Sequence, residues 1–179
     1  LSGTSDTTFS PNSTITRGMF VTALGRLAGI DPAAYPSSSR FTDVAMTEYY
    51  APFVEWAASK GIVNGTGANT FEPGRAVTRE EMAVIMRRYA DKLGYTLPVA
   101  REAEIFADDA KITSSMKDAV QAMQQAGVMN GKGGHLFAPK DPATRAEAAA
   151  VLRRFVEVVI NRDTADGWTQ NDAGGWLYY

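Results

Sequence analysis

The sequence predicts an all-α fold, with three helix-loop-helix repeats in a pseudo-threefold bundle around a central set of three helices. Three observations carry that expectation. One segment is written three times, as SGTSDTTFSPNSTITRGM (2–19), NGTGANTFEPGRAVTREE (64–81) and NGKGGHLFAPKDPATRAE (130–147). Phe9, Phe71 and Phe137 align in it, then Pro11, Pro73 and Pro139, then Thr16-Arg17, Thr78-Arg79 and Thr144-Arg145, at steps of 62 and 66 residues. Between and after these segments, apolar residues recur every three or four positions, which is one face of a helix. Units this short cannot bury an apolar face alone, so the copies must share one core.

Each element follows from local signals. Copy two opens on Phe41-Thr42-Asp43-Val44, and a first helix runs through Tyr50, Val54, Ala57 and Ala58 to a stop at Gly61. A Gly- and Asn-rich loop leads to Phe71-Glu72-Pro73, and Thr78 starts a second helix lined by Met82, Ile85, Met86 and Tyr89. Copy three repeats the plan with Phe106-Ala107-Asp108, then Met116, Ala119, Val120 and Met123, a stop at Gly127, and Ala148, Val151, Leu152 and Phe155. Copy one holds the loop and second helix, with Phe20, Ala23, Leu24 and Leu27. Its first helix is expected before Leu1 or from another chain that pairs with this one to complete the repeat. The connectors 29–40 and 91–105 are long enough for a short helix or a crossing to the next unit. The expected divisions are 1–35, 36–98, 99–162 and an aromatic tail, 163–179.

Composition removes several function classes. A net charge of −2 argues against nucleic acid, which demands a basic surface. No apolar run approaches the roughly 20 residues of a membrane span, so insertion is not expected. The absence of Cys removes thiol chemistry and disulfides. No metal or other cofactor is expected. The single His, His135, has no ligand-spaced partners, and the loops lack both the Gly-Lys-Ser/Thr of a phosphate loop and the spaced Asp residues of a calcium loop. The pairs Glu80-Glu81 and Asp108-Asp109 sit at helix starts, where the dipole explains them. Catalysis is not expected.

Thr78-Arg79-Glu80-Glu81 and Thr144-Arg145-Ala146-Glu147 are capping boxes, in which Thr78 or Thr144 accepts from the N–H three residues on and Glu81 or Glu147 reaches back. Thr16 begins the same corner, but Met19 stands where the Glu should be. Arg17, Arg79 and Arg145 occupy the first helical position, where the dipole disfavours a cation. Two readings stand side by side. The Arg forms an ion pair with Asp43 or Asp108 that holds one unit to the next, or it joins helix-start N–H groups in receiving an anion. The aligned Gly3, Gly65 and Gly131, preceded by Ser2, Asn64 and Asn130, permit positive φ or a close ligand approach, and plain turn chemistry explains them as well.

The ordered set of Phe-x-Asp, a helix ending at Gly, the Gly loop, Phe-x-Pro and Thr-Arg-x-Glu resembles the S-layer homology (SLH) domain over about residues 1–160. The resemblance implies three repeats in a helical spindle that anchors exported bacterial proteins non-covalently to the cell wall. The ligand it implies is an anionic secondary cell-wall polysaccharide, commonly pyruvylated, held in grooves between repeats with the repeat Arg at each groove. Arg79 is then the foremost candidate and Arg145 and Arg17 follow. Tyr49 is the aromatic at a first-helix start, and Ser115 replaces it in copy three. The alternative is a protein–protein or self-association module. Trp56 is expected to pack rather than serve as a sugar platform. The tail, with Trp168, Trp176, Tyr178 and Tyr179, resembles the first half of a choline-binding-type cell-wall repeat. An apolar tail folded back on the helical body is the competing expectation.

Overall fold

The computed structural model describes residues 3–5, 7–35, 40–160, 168–170 and 176–178, the last two stretches by backbone alone. Five α-helices appear among them: α1 (Arg17–Leu27), α2 (Ala51–Ser59), α3 (Arg79–Leu93), α4 (Lys117–Gln125) and α5 (Arg145–Phe155). The body is all-α, as expected. The α3 and α5 starts carry complete capping boxes at Thr78/Glu81 and Thr144/Glu147, whereas Thr16 accepts from Met19 N–H with no returning carboxylate. Gly61 and Gly127 follow α2 and α4 at φ of +72° and +75°, so the two predicted stops are left-handed caps. Beyond Phe155 the helix widens into a π-turn, Val156–Ile160.

The connectors differ. The first holds a 3₁₀ turn, Pro32–Ala34, capped by the Asp31 side chain. The second has no regular structure over 95–100 and is tied down where Ala100 and Arg101 N–H both donate to Gln125 C=O. Two further 3₁₀ turns, Asp109–Lys111 and Ser114–Met116, precede α4.

The three copies join head to tail at their helix starts. Ile15 N–H donates to Ala143 C=O (3.0 Å), Ala143 N–H to Val77 C=O (2.9 Å), and Val77 N–H to Ile15 C=O (3.0 Å), which closes a ring. All three residues are fully buried. A second tier runs the opposite way around, with Arg17 N–H on Arg75 C=O, Arg79 N–H on Asp141 C=O and Arg145 N–H on Ser13 C=O. The next N–H groups, of Gly18, Glu80 and Ala146, reach Pro73, Pro139 and Pro11. These amides have no acceptor within their own helices, so the neighbouring copy satisfies them. These bonds make a hub of backbone pairs that runs through all three copies.

Around the hub, α1 packs on α2 and α3 on α4, so the second helices of copies one and two lie against the first helix of the next copy. The aligned Tyr89 and Phe155 meet edge to face at 5.6 Å, and Trp56 closes on Tyr89 at 6.4 Å. Trp56 is buried and packs, as expected. In the tail, Trp168–Gln170 (β1) and Trp176–Tyr178 (β2) pair antiparallel, with Thr169 opposite Leu177. The tail's aromatic side chains, on which both expectations for it depend, lie outside the described residues.

Candidate functional site

Each repeat corner is built from the loop upward. Asp43 accepts from Phe71 N–H (2.8 Å) and Glu72 N–H (2.6 Å), and Asp108 accepts from Phe137 N–H (2.8 Å) and Ala138 N–H (2.9 Å). The clamped turns put Glu72 and Ala138, the middle residues of Phe-x-Pro, at φ of 57° and 55°, and the aligned Ser10 of copy one stands at 54°. Left-handed backbone is costly for a residue with a Cβ, so the clamp helps hold it there. The turn aims a Phe ring and carbonyl at the preceding copy, and Phe41 and Phe106 brace Phe71 and Phe137 at 5.4 Å.

The repeat arginines lie against those turns. Arg17, Arg79 and Arg145 are only 5%, 4% and 3% exposed. Arg79 donates Nε–H to Phe137 C=O (2.8 Å), one Nη to Asn130 C=O (2.8 Å) and the other to Glu147 (3.0 Å). Arg17 makes the same bonds to Phe71 C=O (2.9 Å), Asn64 C=O (3.4 Å) and Glu81 (3.4 Å). Arg145 donates to Phe9 C=O (2.9 Å), so the series closes from copy three onto copy one. Each guanidinium also lies over the Phe ring it bonds, 4.7 to 5.0 Å from the centroid. The expected Asp partner is therefore corrected. Glu81 and Glu147 pair with Arg17 and Arg79, because the carboxylates of Asp43 and Asp108 are committed to backbone amides.

The loop glycines are corrected in their reason. Gly3, Gly65 and Gly131 are not among the positive-φ residues. A Cβ on them would stand 2.8 Å from Thr8 C=O, 2.5 Å from Thr70 C=O and 2.9 Å from Leu136 C=O, and on Gly131 also 2.7 Å from the Phe106 ring. The loop folds onto itself at that position. Asn64 and Asn130 use their backbone carbonyls for the Arg, and Arg101 takes the Asn130 side-chain oxygen at 2.8 Å.

Charges at the corners are tightly assigned. Burial alone would raise the Glu81 pKa, but hydrogen bonds from Arg75 and Thr78 N–H, with Arg17 close by, bring it below the usual value. Glu147 is lowered against the same burial by Thr144 N–H, Lys132 and Arg79, and Asp108 by the Phe137 and Ala138 amides. Burial lowers Arg17 and Arg79, yet arginine starts high enough to stay charged.

Cavities open beside two corners. One, of about 470 Å³, is lined by Arg17, Asn64, Gly65, Arg75, Glu81 and Arg88 among others. Another, of about 170 Å³, brings together Gly3, Met19, Arg26, Tyr49 and Arg145. Tyr49 thus joins Arg145 and Gly3, and Arg79 lines neither cavity. A third, of about 400 Å³, lies between the α3 end and the second connector and contains no expected site residue.

Sequence reasoning missed Arg75, which donates to both Glu72 and Glu81, and Glu80, whose buried carboxylate accepts from Thr113 and pairs with Lys140. It also missed a second aligned series, Arg26, Arg88 and Arg154, nine residues after each repeat Arg and repeating at 62 and 66 residues. His135 lies between Glu104 (3.0 Å) and Ile105 C=O (2.9 Å). Among the described residues no group of three His, Asp or Glu could hold a metal, and no helix is long and apolar enough to cross a membrane.

Comparison with known proteins agrees with this repeat structure. The S-layer homology domain model matches residues 1–18, 40–83 and 105–149, and each match reaches the Thr-Arg corner. The chain is 37% identical over 155 residues to an amylopullulanase of Thermoanaerobacterium thermosulfurigenes, covering 87% of this chain and 8% of that protein. It is 36% identical over 155 residues to the exoglucanase XynX of Acetivibrio thermocellus, covering 87% of this chain and 14% of that one. A cellulosome-anchoring protein of Acetivibrio thermocellus is 24% identical over 151 residues, covering 83% of this chain and 33% of that one. The chain thus spans a third or less of each of these relatives. With three matched segments on three head-to-tail corners, it belongs to the S-layer homology domain family.

Proposed function

We infer that this chain anchors a protein at the bacterial cell surface by binding an anionic secondary cell-wall polysaccharide, of the pyruvylated kind, in grooves between its repeats. The observation that carries this reading is the 470 Å³ cavity between copies one and two, whose wall holds Arg17, Arg75 and Arg88 against Glu72 and Glu81. That is a surplus of one positive charge in a recess with polar loop atoms, suited to an acidic sugar. The name of the cellulosome-anchoring relative supports the same role. Relatives named as enzymes share only a small part of their length with this chain, which fits an anchor beside a catalytic module. The repeat divisions 1–35, 36–98 and 99–162 are the units of this reading.

Within the groove, Asn64 and Gly65 form the loop wall, and Tyr49 with Gly3 offers a second, smaller recess beside Arg145. Asp43 and Asp108 act by shaping the loops. The test is co-sedimentation with purified cell-wall sacculi before and after removal of the non-peptidoglycan polymer. Binding should vanish with the polymer. Undiminished retention would overturn the reading in favour of a protein–protein module.

A further inference from the structure

We propose that Arg88, and not the buried repeat arginine Arg17, is the cation that grips the acid group of the ligand in the groove between copies one and two. The proposal rests on the groove reading above and names the residue and ligand chemistry within it.

Every other charge lining that cavity is already taken. Each of the three nitrogens of Arg17 donates within the protein, to Phe71 C=O, Asn64 C=O and Glu81. Arg75 is spent on Glu72 at 2.7 Å and on both oxygens of Glu81, at 2.6 and 3.1 Å. Arg88 lines the same cavity, is half-buried, and makes no side-chain hydrogen bond or ion pair with any described residue. The groove's surplus positive charge therefore resides on Arg88. A guanidinium in a recess, without a carboxylate, is a fork for a planar two-oxygen anion.

The arrangement recurs at the other inter-repeat cavity. There Arg145 from copy three and Arg26 from copy one line the wall together, in the relation that Arg17 of copy one bears to Arg88 of copy two. Two cavities thus pair an inward repeat arginine with the second-series arginine of the next copy. Along α3, Arg88 lies seven residues past Glu81, two turns or about 10 Å from the Arg17 corner. A ligand filling the groove lays neutral sugar across Asn64, Gly65 and Thr66 while its acid substituent reaches Arg88. Carboxylate and phosphate share the required chemistry.

The experiment measures affinity of the whole chain for solubilised wall polymer by titration calorimetry over a range of salt. Arg88→Gln should weaken binding about tenfold or more and flatten the salt dependence, with the melting temperature unchanged. Arg88→Lys should restore part of the affinity. Polymer amidated at its carboxyl groups should lose binding if the acid is a carboxylate, and polymer stripped of phosphodiesters should lose it if the acid is a phosphate. Insensitivity to both treatments overturns the proposal. The control is Thr66→Trp, which fills the groove from an exposed position. If Arg88→Gln binds like wild type while Thr66→Trp does not, Arg88 falls and the groove stands. If both bind like wild type, the groove reading falls.

Discussion

The corner between copies one and two and the corner between copies two and three make the same bonds from different materials. At both, a buried arginine joins a Phe carbonyl, an Asn carbonyl and the capping Glu of the next copy. The second cation on that Glu differs. Glu81 takes Arg75 at 2.6 Å, whereas Glu147 takes Lys132 at 3.2 Å, and Asp141 occupies the position aligned with Arg75. Lys132 also reaches Asp141 at 3.4 Å and stands where copy two has Thr66, which lines the open cavity. What persists is the requirement. A capping carboxylate held in a half-buried corner needs two positive partners, and the chain supplies the second from whichever loop residue can reach. What varies is the room left over, and with it the capacity of the groove.

The largest expected effect breaks the shared part of this comparison. Arg79→Ala leaves Phe137 C=O, Asn130 C=O and the Glu147 carboxylate without their partner. It should lower stability by about 3 kcal/mol, read as a fall in denaturation midpoint. A stability within error of wild type would show that the clasp is dispensable and restore a purely ligand-facing role for the repeat arginine. Second, Gly131→Ala must push a Cβ into the Phe106 ring and Leu136 C=O, at a cost of about 2 kcal/mol, while Gly133→Ala enters open space and should be near neutral. Equal effects from the two would remove the steric reason for the aligned glycines.

Acid should loosen both corners. The native pKa values of Glu81, Glu147 and Asp108 lie below their unfolded values near 4, so their contribution is complete above that range and is lost as pH falls through the lowered native values. Urea midpoints measured from pH 6 downward should fall below about pH 4, and less steeply in an Arg75→Gln variant, whose Glu81 is nearer its ordinary value. The smallest effect concerns the third corner. Met19→Glu completes the capping box of copy one and should raise stability by about 0.5–1 kcal/mol.

How much of this was legible depends on whether the cause was local. The helices, the Thr caps, the two complete boxes and the Gly61 and Gly127 stops all follow from residues within one turn of each other. The burial of Arg79 does not, because its acceptors, Phe137 C=O and Asn130 C=O, are backbone atoms 51 to 58 residues away. Backbone carbonyls have no signature in sequence, so an arginine at a helix start reads as exposed. The left-handed turn at Glu72 and Ala138 was equally hidden, since neither residue type announces positive φ. Its mark was instead the Asp43 and Asp108 clamp, which invited an ion-pair reading. Arg88 is the opposite case. Its periodicity with Arg26 and Arg154 was visible, but a cation in mid-helix passes for solvated surface until a cavity is seen beside it.

The backbone ring through Ile15, Val77 and Ala143 also fixes a number. In an open solenoid each added repeat presents a fresh end, so such arrays come in any length and their terminal copies differ from the middle ones. Here the donor that would welcome a fourth copy is already used by the first. Within the ring each copy has a neighbour on both sides, so loss of any one copy exposes unpaired amides on both survivors.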